Sequence, residues 1–208
     1  MTLDVINLAG MTPGAIEYPD HMARWQPDAR GRLQQAALTL YGERGFDDTT
    51  VAEIAEHAGL TKRTFFRYFA DKREVLFYGA EELEELFTSE VAAAPESATP
   101  LDAVAAALDV VAAGFEERRE FAARRQQIII ANPELQEREL IKLAKLARAV
   151  AGALRDRGVA DPAAILTAEA AIAVFRVAFE RWVDPANRKG FQRLIRESLK
   201  ELRAVTAA

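Results

Sequence analysis

The sequence predicts an all-α chain of nine helices, and three observations carry that reading. First, apolar residues recur at helical spacing, beginning with Leu33, Ala36, Ala37, Leu40 and Tyr41 at i, i+3, i+4, i+7 and i+8. Second, four later segments open with a capping residue followed by proline: Thr99-Pro100, Asn132-Pro133, Asp161-Pro162 and Asp184-Pro185. Proline at the first helical position loses no hydrogen bond and already has the φ a helix needs. Third, the one strand-like run, Ile128-Ile129-Ile130, is flanked by helical patterns.

The elements follow in order. Residues 1–25 hold Gly10, Pro13, Gly14 and Pro19 without a clear period and read as a mobile arm. Its single basic residue, Arg24, suits it poorly for a minor groove. The first helix is expected at 26–44, with Pro27 in its first turn and Gly45 as its left-handed stop. Thr50 and Glu53 form a capping box for a helix at 51–58, and a third helix spans 62–69. Asp71 and Glu74 repeat the capping arrangement at the start of a helix over 72–93. Further helices are expected at 100–118, 120–131, 133–157, 162–183 and 187–205, with Gly158 ending the third of these.

Composition removes several function classes. Half the residues are apolar, enough for a sizeable core, and there is no cysteine. That excludes a disulfide framework, thiol catalysis and Cys-ligated metal. Neither histidine, His21 or His57, lies three residues after a glutamate, so a helical di-metal carboxylate enzyme fails on sequence. No other catalytic constellation, metal set or cofactor motif is visible. No apolar run is expected to approach the ~18 residues of a membrane span, and the N-terminus lacks a basic n-region. A soluble cytoplasmic protein is expected.

Charge is the informative anomaly. The chain carries −5 overall, yet five basic residues and one acidic one lie between Leu60 and Arg73, beside four aromatics. The next basic residue is Arg118, beyond seven glutamates from Glu74 to Glu96. Two short helices separated by Gly59-Leu60-Thr61 make a helix-turn-helix pattern. In it Ile54 meets Phe65, Ala55 permits close approach, Gly59 permits the turn and Thr61 caps the second helix. On a wheel at ~100° per residue, Lys62, Arg63, Phe66 and Arg67 share one sector. Phe65 and Phe69 oppose them, with Tyr68 at the edge. An α-helix fits the major groove of B-DNA, where Arg and Lys bind guanine edges or phosphates.

Residues 30–76 resemble the DNA-binding domain of TetR/AcrR-type transcriptional regulators. The matching elements are A-A-L-T-L-Y-G-E-R-G-F-D-D-T-T from Ala36, I-A-E-H-A-G-L-T from Ile54 and T-F-F-R-Y-F-A-D-K from Thr64. The resemblance implies a homodimer binding double-stranded operator DNA, each subunit with a three-helix DNA-binding head over 26–73 and a six-helix body over 74–208 that holds an effector pocket and the dimer interface. By position it assigns DNA contacts to Thr50, Thr61, Lys62, Arg63, Thr64, Phe66, Arg67, Tyr68 and Lys72. Arg63 or Arg67 is expected on bases and Lys72 on phosphate, at a helix N-terminus. Tyrosine is commonest in the family where Phe66 stands here. Without a hydroxyl, that phosphate contact is lost or replaced by contact with a thymine methyl.

The stretch from R-R-Q-Q-I-I-I-A-N-P-E-L-Q-E-R to F-E-R-W-V-D is similar to bodies of many actinobacterial-type members. Two stripes, Ala171, Val174, Phe175, Ala178, Phe179 and Trp182 with Phe191, Leu194, Ile195, Ser198 and Leu202, are expected to pair with a second subunit. The pocket candidates are Leu83, Leu86, Phe87, Val111, Phe115, Ile129, Leu146, Phe175 and Phe179, each served as well by plain core packing. Arg124 and Arg125 adjoin an apolar stretch and could receive an anionic head group. The expected effector is therefore a small apolar molecule, an acyl-CoA or fatty acid ahead of a cationic drug. The expected role is a ligand-released repressor. An activator, or a DNA-binding regulator controlled by protein partners, stays open.

Overall fold

The computed structural model describes residues 28–207, and all regular structure in them is helical. They divide into two compact units, the first ending at Gly79 and the second beginning at Ala80. The arm expected over 1–25, and Pro27, lie outside the described residues.

The first unit holds α1 (Ala29–Arg44), α2 (Val51–His57), α3 (Lys62–Tyr68) and a 3-10 turn at Glu74–Phe77. The stripe of α1 is buried, with Leu33 and Ala37 fully enclosed, and Leu38 and Gln34 are buried with it. Asp28 caps α1 from a left-handed conformation (φ 72°), its carboxylate accepting from the Gly31 N–H at 2.8 Å. Gly45 ends the helix at φ 89° and ψ 160°, a positive-φ conformation that favours glycine but is extended rather than the left-handed helical stop expected from sequence. Buried Thr49 closes the same end by donating to the carbonyls of Gly45 (2.7 Å) and Leu40 (3.4 Å).

The continuous helix expected over 72–93 is interrupted. The 3-10 turn packs on α1, and Val75, Leu76 and Phe77 are buried. Gly79 then takes φ 92°, and α4 starts only at Ala80. The boundary between units therefore falls six residues later than the sequence places it. The apolar run Val75–Phe77 completes the head rather than opening the body.

The second unit holds α4 (Ala80–Ala93), α5 (Pro100–Phe115), α6 (Arg119–Ala131), α7 (Pro133–Asp156), α8 (Asp161–Val183) and α9 (Phe191–Thr206). α4, α5, α7, α8 and α9 share one core, and α6 packs on α7 and α8. Phe115 stands at the centre of five rings, 5.9–6.3 Å from Phe175, Phe179, Trp182 and Phe191 in edge-to-face contact.

The four cap-proline pairs behave differently from one another. Thr99 caps α5 through the Asp102 N–H at 3.2 Å. Asn132 instead donates back to the Ile128 carbonyl at 2.6 Å, closing α6. Asp161 is the first residue of α8 and pairs with Arg155. Asp184 accepts from the Ala186 N–H at 2.8 Å, forming a turn, and α9 begins at Phe191 rather than 187. That delayed start has its own cap: the Glu116 carboxylate accepts the Gln192 N–H at 3.2 Å. Nearby, the Arg119 guanidinium donates to the carbonyls of Trp182, Asp184 and Asn187 at 2.8–2.9 Å.

The two stripes expected at a subunit interface lie inside this unit. Ala171, Val174, Phe175, Ala178, Phe179 and Trp182 are at most 9% exposed, as are Phe191, Leu194, Ile195 and Ser198, and Leu202 is half-buried against the same core. α8 and α9 face each other and α5, which consumes both stripes. By length and composition α8 is also long and apolar enough to cross a membrane, with mean hydropathy 1.6 over 18 residues. This corrects the expectation that no apolar run approaches that length: Glu169 and Arg176 break the run in sequence without lowering the mean hydropathy of the window enough to exclude it. Its inner face belongs to the core just described.

Candidate nucleic-acid interface

α3 is held so that one face is fixed inward. Phe65 is fully enclosed and Phe69 is 6% exposed, their rings 5.5 Å apart. Gly59 takes φ 64° in the turn from α2, and the Leu60 N–H reaches the Ala55 carbonyl at 2.8 Å. Only a residue without a Cβ adopts that conformation freely. Thr61 caps α3 through the Thr64 N–H at 3.1 Å, and the two threonine hydroxyls lie 2.9 Å apart.

The same packing turns Lys62, Arg63, Phe66 and Arg67 to solvent. Phe66 is 50% exposed, with the Lys62 ammonium 6.0 Å from its ring centre. Thr61, Arg63, Thr64, Phe66 and Arg67 line a shallow hollow of about 410 Å³. The Arg67 guanidinium lies 4.7 Å from the Tyr68 ring centre and donates to the Tyr68 hydroxyl at 2.8 Å. Among the described residues Lys62, Arg63 and Arg67 have no carboxylate partner. An apolar ring amid unpaired cations suits a polyanion whose bases carry methyl groups and whose backbone carries phosphates.

Thr50 is exposed at the start of α2. Its capping box is complete: Glu53 accepts from the Thr50 N–H and hydroxyl, both at 2.8 Å, and Thr50 receives the Glu53 N–H at 3.3 Å. These bonds from the Thr50 backbone and side chain, with the Arg44 charge, hold Glu53 below the usual carboxylate range.

Lys72 departs from expectation. Its ammonium donates to the carbonyls of Phe46 (2.7 Å), Asp47 (3.1 Å) and Thr49 (3.1 Å), and it sits 4.3 Å from the Phe46 ring centre. All three donors of the ammonium are thus engaged in tying the α1–α2 loop. The helix start that would have offered N–H groups to phosphate is occupied too. Asp71 accepts from the N–H groups of Arg73 (2.8 Å) and Glu74 (3.2 Å). Partial burial alone would raise the Asp71 pKa; bonds from the Arg73 side chain and these amides, with the Arg73 charge, lower it. Tyr41 donates to the Lys72 carbonyl at 2.6 Å, and burial, with the Asp71 charge, drives its pKa up.

Arg30 was not singled out by sequence. It begins α1, yet its guanidinium lies 5.3 Å from the Tyr68 ring centre and 5.8 Å from that of Tyr78. No local pattern signals it, because its partners are distant in the chain.

In the second unit, Leu83, Leu86, Phe87, Val111, Phe115, Leu146, Phe175 and Phe179 gather in one apolar cluster, with Phe87 fully enclosed and Val111 1% exposed. Ile129 is buried on α6 outside that cluster. Arg124 is exposed and pairs with Glu120 at 2.5 Å. Arg125 is more enclosed and pairs with Glu139 at 2.9 Å. A hollow of about 720 Å³ lies elsewhere, between α4 and α7, lined among others by Glu85, Thr88, Ala149, Gly152 and Asp156.

Comparisons with known proteins agree with this geometry. Residues 33–78 match the model of bacterial regulatory proteins of the tetR family, and residues 98–207 match the MftR C-terminal domain of TetR-type proteins. The transcriptional regulator TcmR of Streptomyces glaucescens is 37% identical over 82 residues, 39% of this chain and 36% of that protein. The chain thus spans about a third of the length of that relative. Among solved structures, the complex of triclosan with SmeT, repressor of a Stenotrophomonas maltophilia efflux pump, has TM-score 0.60 at 20% identity, covering 85% of this chain and 90% of that one. Thermus thermophilus FadR with lauroyl-CoA has TM-score 0.52 at 24% identity, covering 83% and 92%. At such identities these two show the fold alone. With the second model covering over half its length, the chain belongs to the TetR family of bacterial regulatory proteins.

Proposed function

We propose that this regulator is a cytoplasmic repressor that binds inverted-repeat operator DNA as a homodimer and is released by a small apolar effector. The observation that carries the DNA half is the outward face of α3, where Lys62, Arg63 and Arg67 lack carboxylate partners around half-exposed Phe66. Thr50, Thr61, Thr64 and Tyr68 flank that face and are assigned to the interface. Lys72 acts at one remove, by fixing the loop before α2.

For the dimer, the surface left outward on α8 is the candidate. Leu166 (70% exposed), Ala173 and Val177 (50% exposed) recur at i, i+7 and i+11. That spacing gives one apolar seam of the kind two helices bury against two copies. A two-fold dimer would bring two α3 helices to major grooves ~34–36 Å apart or a small multiple of it.

For the effector, the apolar interior around Phe87, Val111, Phe115 and Phe175 supports an acyl chain, with Arg124 nearer to solvent than Arg125 for an anionic head group. The solved relatives are described as bound to triclosan and to lauroyl-CoA. The close packing of that interior favours a second reading, regulation through a protein partner without a small effector.

Selection of duplexes from a random pool, followed by footprinting, tests the first half: an inverted repeat is expected, and sequence-independent binding alone would overturn it. Titration of the complex with lauroyl-CoA, free fatty acids and lipophilic cations tests the second. Release by acyl compounds, with operator DNA weakening their binding by the same factor, is expected. Release by cations alone would overturn the acyl reading, and no release by any would leave the protein-partner reading standing.

A further inference from the structure

We propose that Arg30, at the start of α1, is a DNA-backbone contact held in place by Tyr68, so that the anion-binding surface continues from α3 onto the first helix. The inference rests on the DNA-binding reading of the head and extends it to a helix outside the helix-turn-helix. Arg30 is exposed and shares the Tyr68 ring with Arg67, the two guanidinium carbons lying 5.3 and 4.7 Å from one ring centre. Those two distances laid end to end place the cations at most 10 Å apart. Among the described residues, neither has a carboxylate partner. The acid closest in sequence, Asp28, is engaged as the α1 cap at 2.8 Å.

Two like charges held this close repel, and the repulsion is relieved when an anion arrives. Elsewhere in the head the protein neutralises such residues: Arg44 has Glu53 at 3.2 Å and Arg73 has Asp71 at 2.7 Å. Around Tyr68 it supplies an aromatic ring instead. A ring attracts a guanidinium through its face and leaves the in-plane N–H donors free. That planar edge is what fits a phosphate bidentately. Phosphates follow one another every ~3.4 Å of axis on each strand, so two cations no more than 10 Å apart are close enough to reach phosphates of the same short stretch of one strand. Tyr68 is therefore a positioning residue for two cations, and its hydroxyl, receiving Arg67 at 2.8 Å, fixes the second.

The test compares full-length variants by fluorescence anisotropy across a salt series, on two probes. One is a duplex selected by the wild type from a random pool, the other sonicated bulk duplex DNA. Arg30→Ala is expected to weaken both probes about fivefold at ~0.15 M salt and to lower the slope of log K against log salt by about 0.9 per bound subunit. Arg30→Lys is expected to keep the slope. Tyr68→Leu is expected to reproduce part of the loss, and Arg30→Ala added to it to cost less than alone. An unchanged slope in Arg30→Ala, with or without a fall in melting temperature, assigns Arg30 to holding α1 and overturns the proposal. Failure of the wild type to bind either probe would instead overturn the DNA-binding reading itself, and the proposal with it.

Discussion

The cations of α3 and those of α9 are the same residue types in opposite circumstances. On α3, Lys62 and Arg67 lie beside aromatic rings, and among the described residues neither they nor Arg63 has a carboxylate partner. On α9, Arg193 pairs with Glu197 (3.1 Å), Arg196 grips Asp109 through two bonds of 2.7 Å, and Arg203 meets Asp102 at 2.6 Å. The Asp109 partner raises the Arg196 pKa further, whereas Glu197, bonded by Lys189, Arg193 and Arg181, is held down to about 2. A basic face is thus a binding surface where acidic residues are kept away, and a staple where they are supplied from a neighbouring helix. Counting charges along the chain does not separate the two; pairing does.

The sharpest way to break the contrast is to remove cations from each place. Replacing Arg63 or Arg67 by Ala is expected to cost ~1–3 kcal/mol of DNA affinity for the one that reads a base, with relaxed specificity at one position. Melting temperature should move little, because among the described residues neither has a carboxylate partner to lose and the contacts of Arg67 with Tyr68 are solvent-facing. A melting temperature that fell as far as affinity would erase the distinction drawn here.

Lys72 probes the boundary, since it is a head cation used as a staple. Lys72→Met removes the donor to three carbonyls and is expected to destabilise the head by about 1–2 kcal/mol. The salt slope of DNA binding should stay as in wild type. A lowered slope in a variant of undiminished stability would return Lys72 to the phosphate contacts expected from sequence.

Arg196→Ala is expected to lower stability only slightly, since the guanidinium is largely solvent-exposed, and to leave DNA affinity alone. Denaturant unfolding beside a binding curve checks both.

The smallest effect is in pH. Glu197 has a folded pKa of about 2 against an ordinary 4.5, so the folded state binds the proton less readily than the unfolded one. Its stabilisation is complete above pH 4.5 and is lost as pH falls toward 2. Glu197→Gln should flatten the acid limb of the stability curve in that window and change nothing at neutral pH. An identical limb in the variant would show that the three cations contribute nothing through this carboxylate.

What could be read from sequence follows the reach of each interaction. The Thr50–Glu53 box, the Thr61 cap and the Gly45 and Gly59 turns are local, three or four residues across, and each was legible. Phe65 inward and Phe66 outward follow from helical period alone. Periodicity could not say which surface an apolar stripe meets. The stripes of α8 and α9 therefore looked like an interface between subunits but are packed within one. Asp71, Asn132, Asp161 and Asp184 looked like interchangeable helix caps, yet their side chains close turns, end a preceding helix or pair with Arg155. The Lys72 carbonyls and the Arg30 rings lie more than twenty residues away in the chain, beyond any local pattern.

The Arg119 clamp gives the α8–α9 connection a particular dynamic character. Residues 184–190 are short, polar and mostly solvent-facing, features that usually mark a segment that opens and closes on its own. Here one guanidinium serves carbonyls at 182, 184 and 187, and Glu116, three residues before it, holds the first turn of α9. The connection cannot lift away while those bonds last, and it cannot keep them if the α5–α6 junction unwinds. The two segments therefore open as one cooperative unit, and the amides of Asn187 and Gln192 exchange with solvent at a rate set by that shared opening rather than by their own exposure.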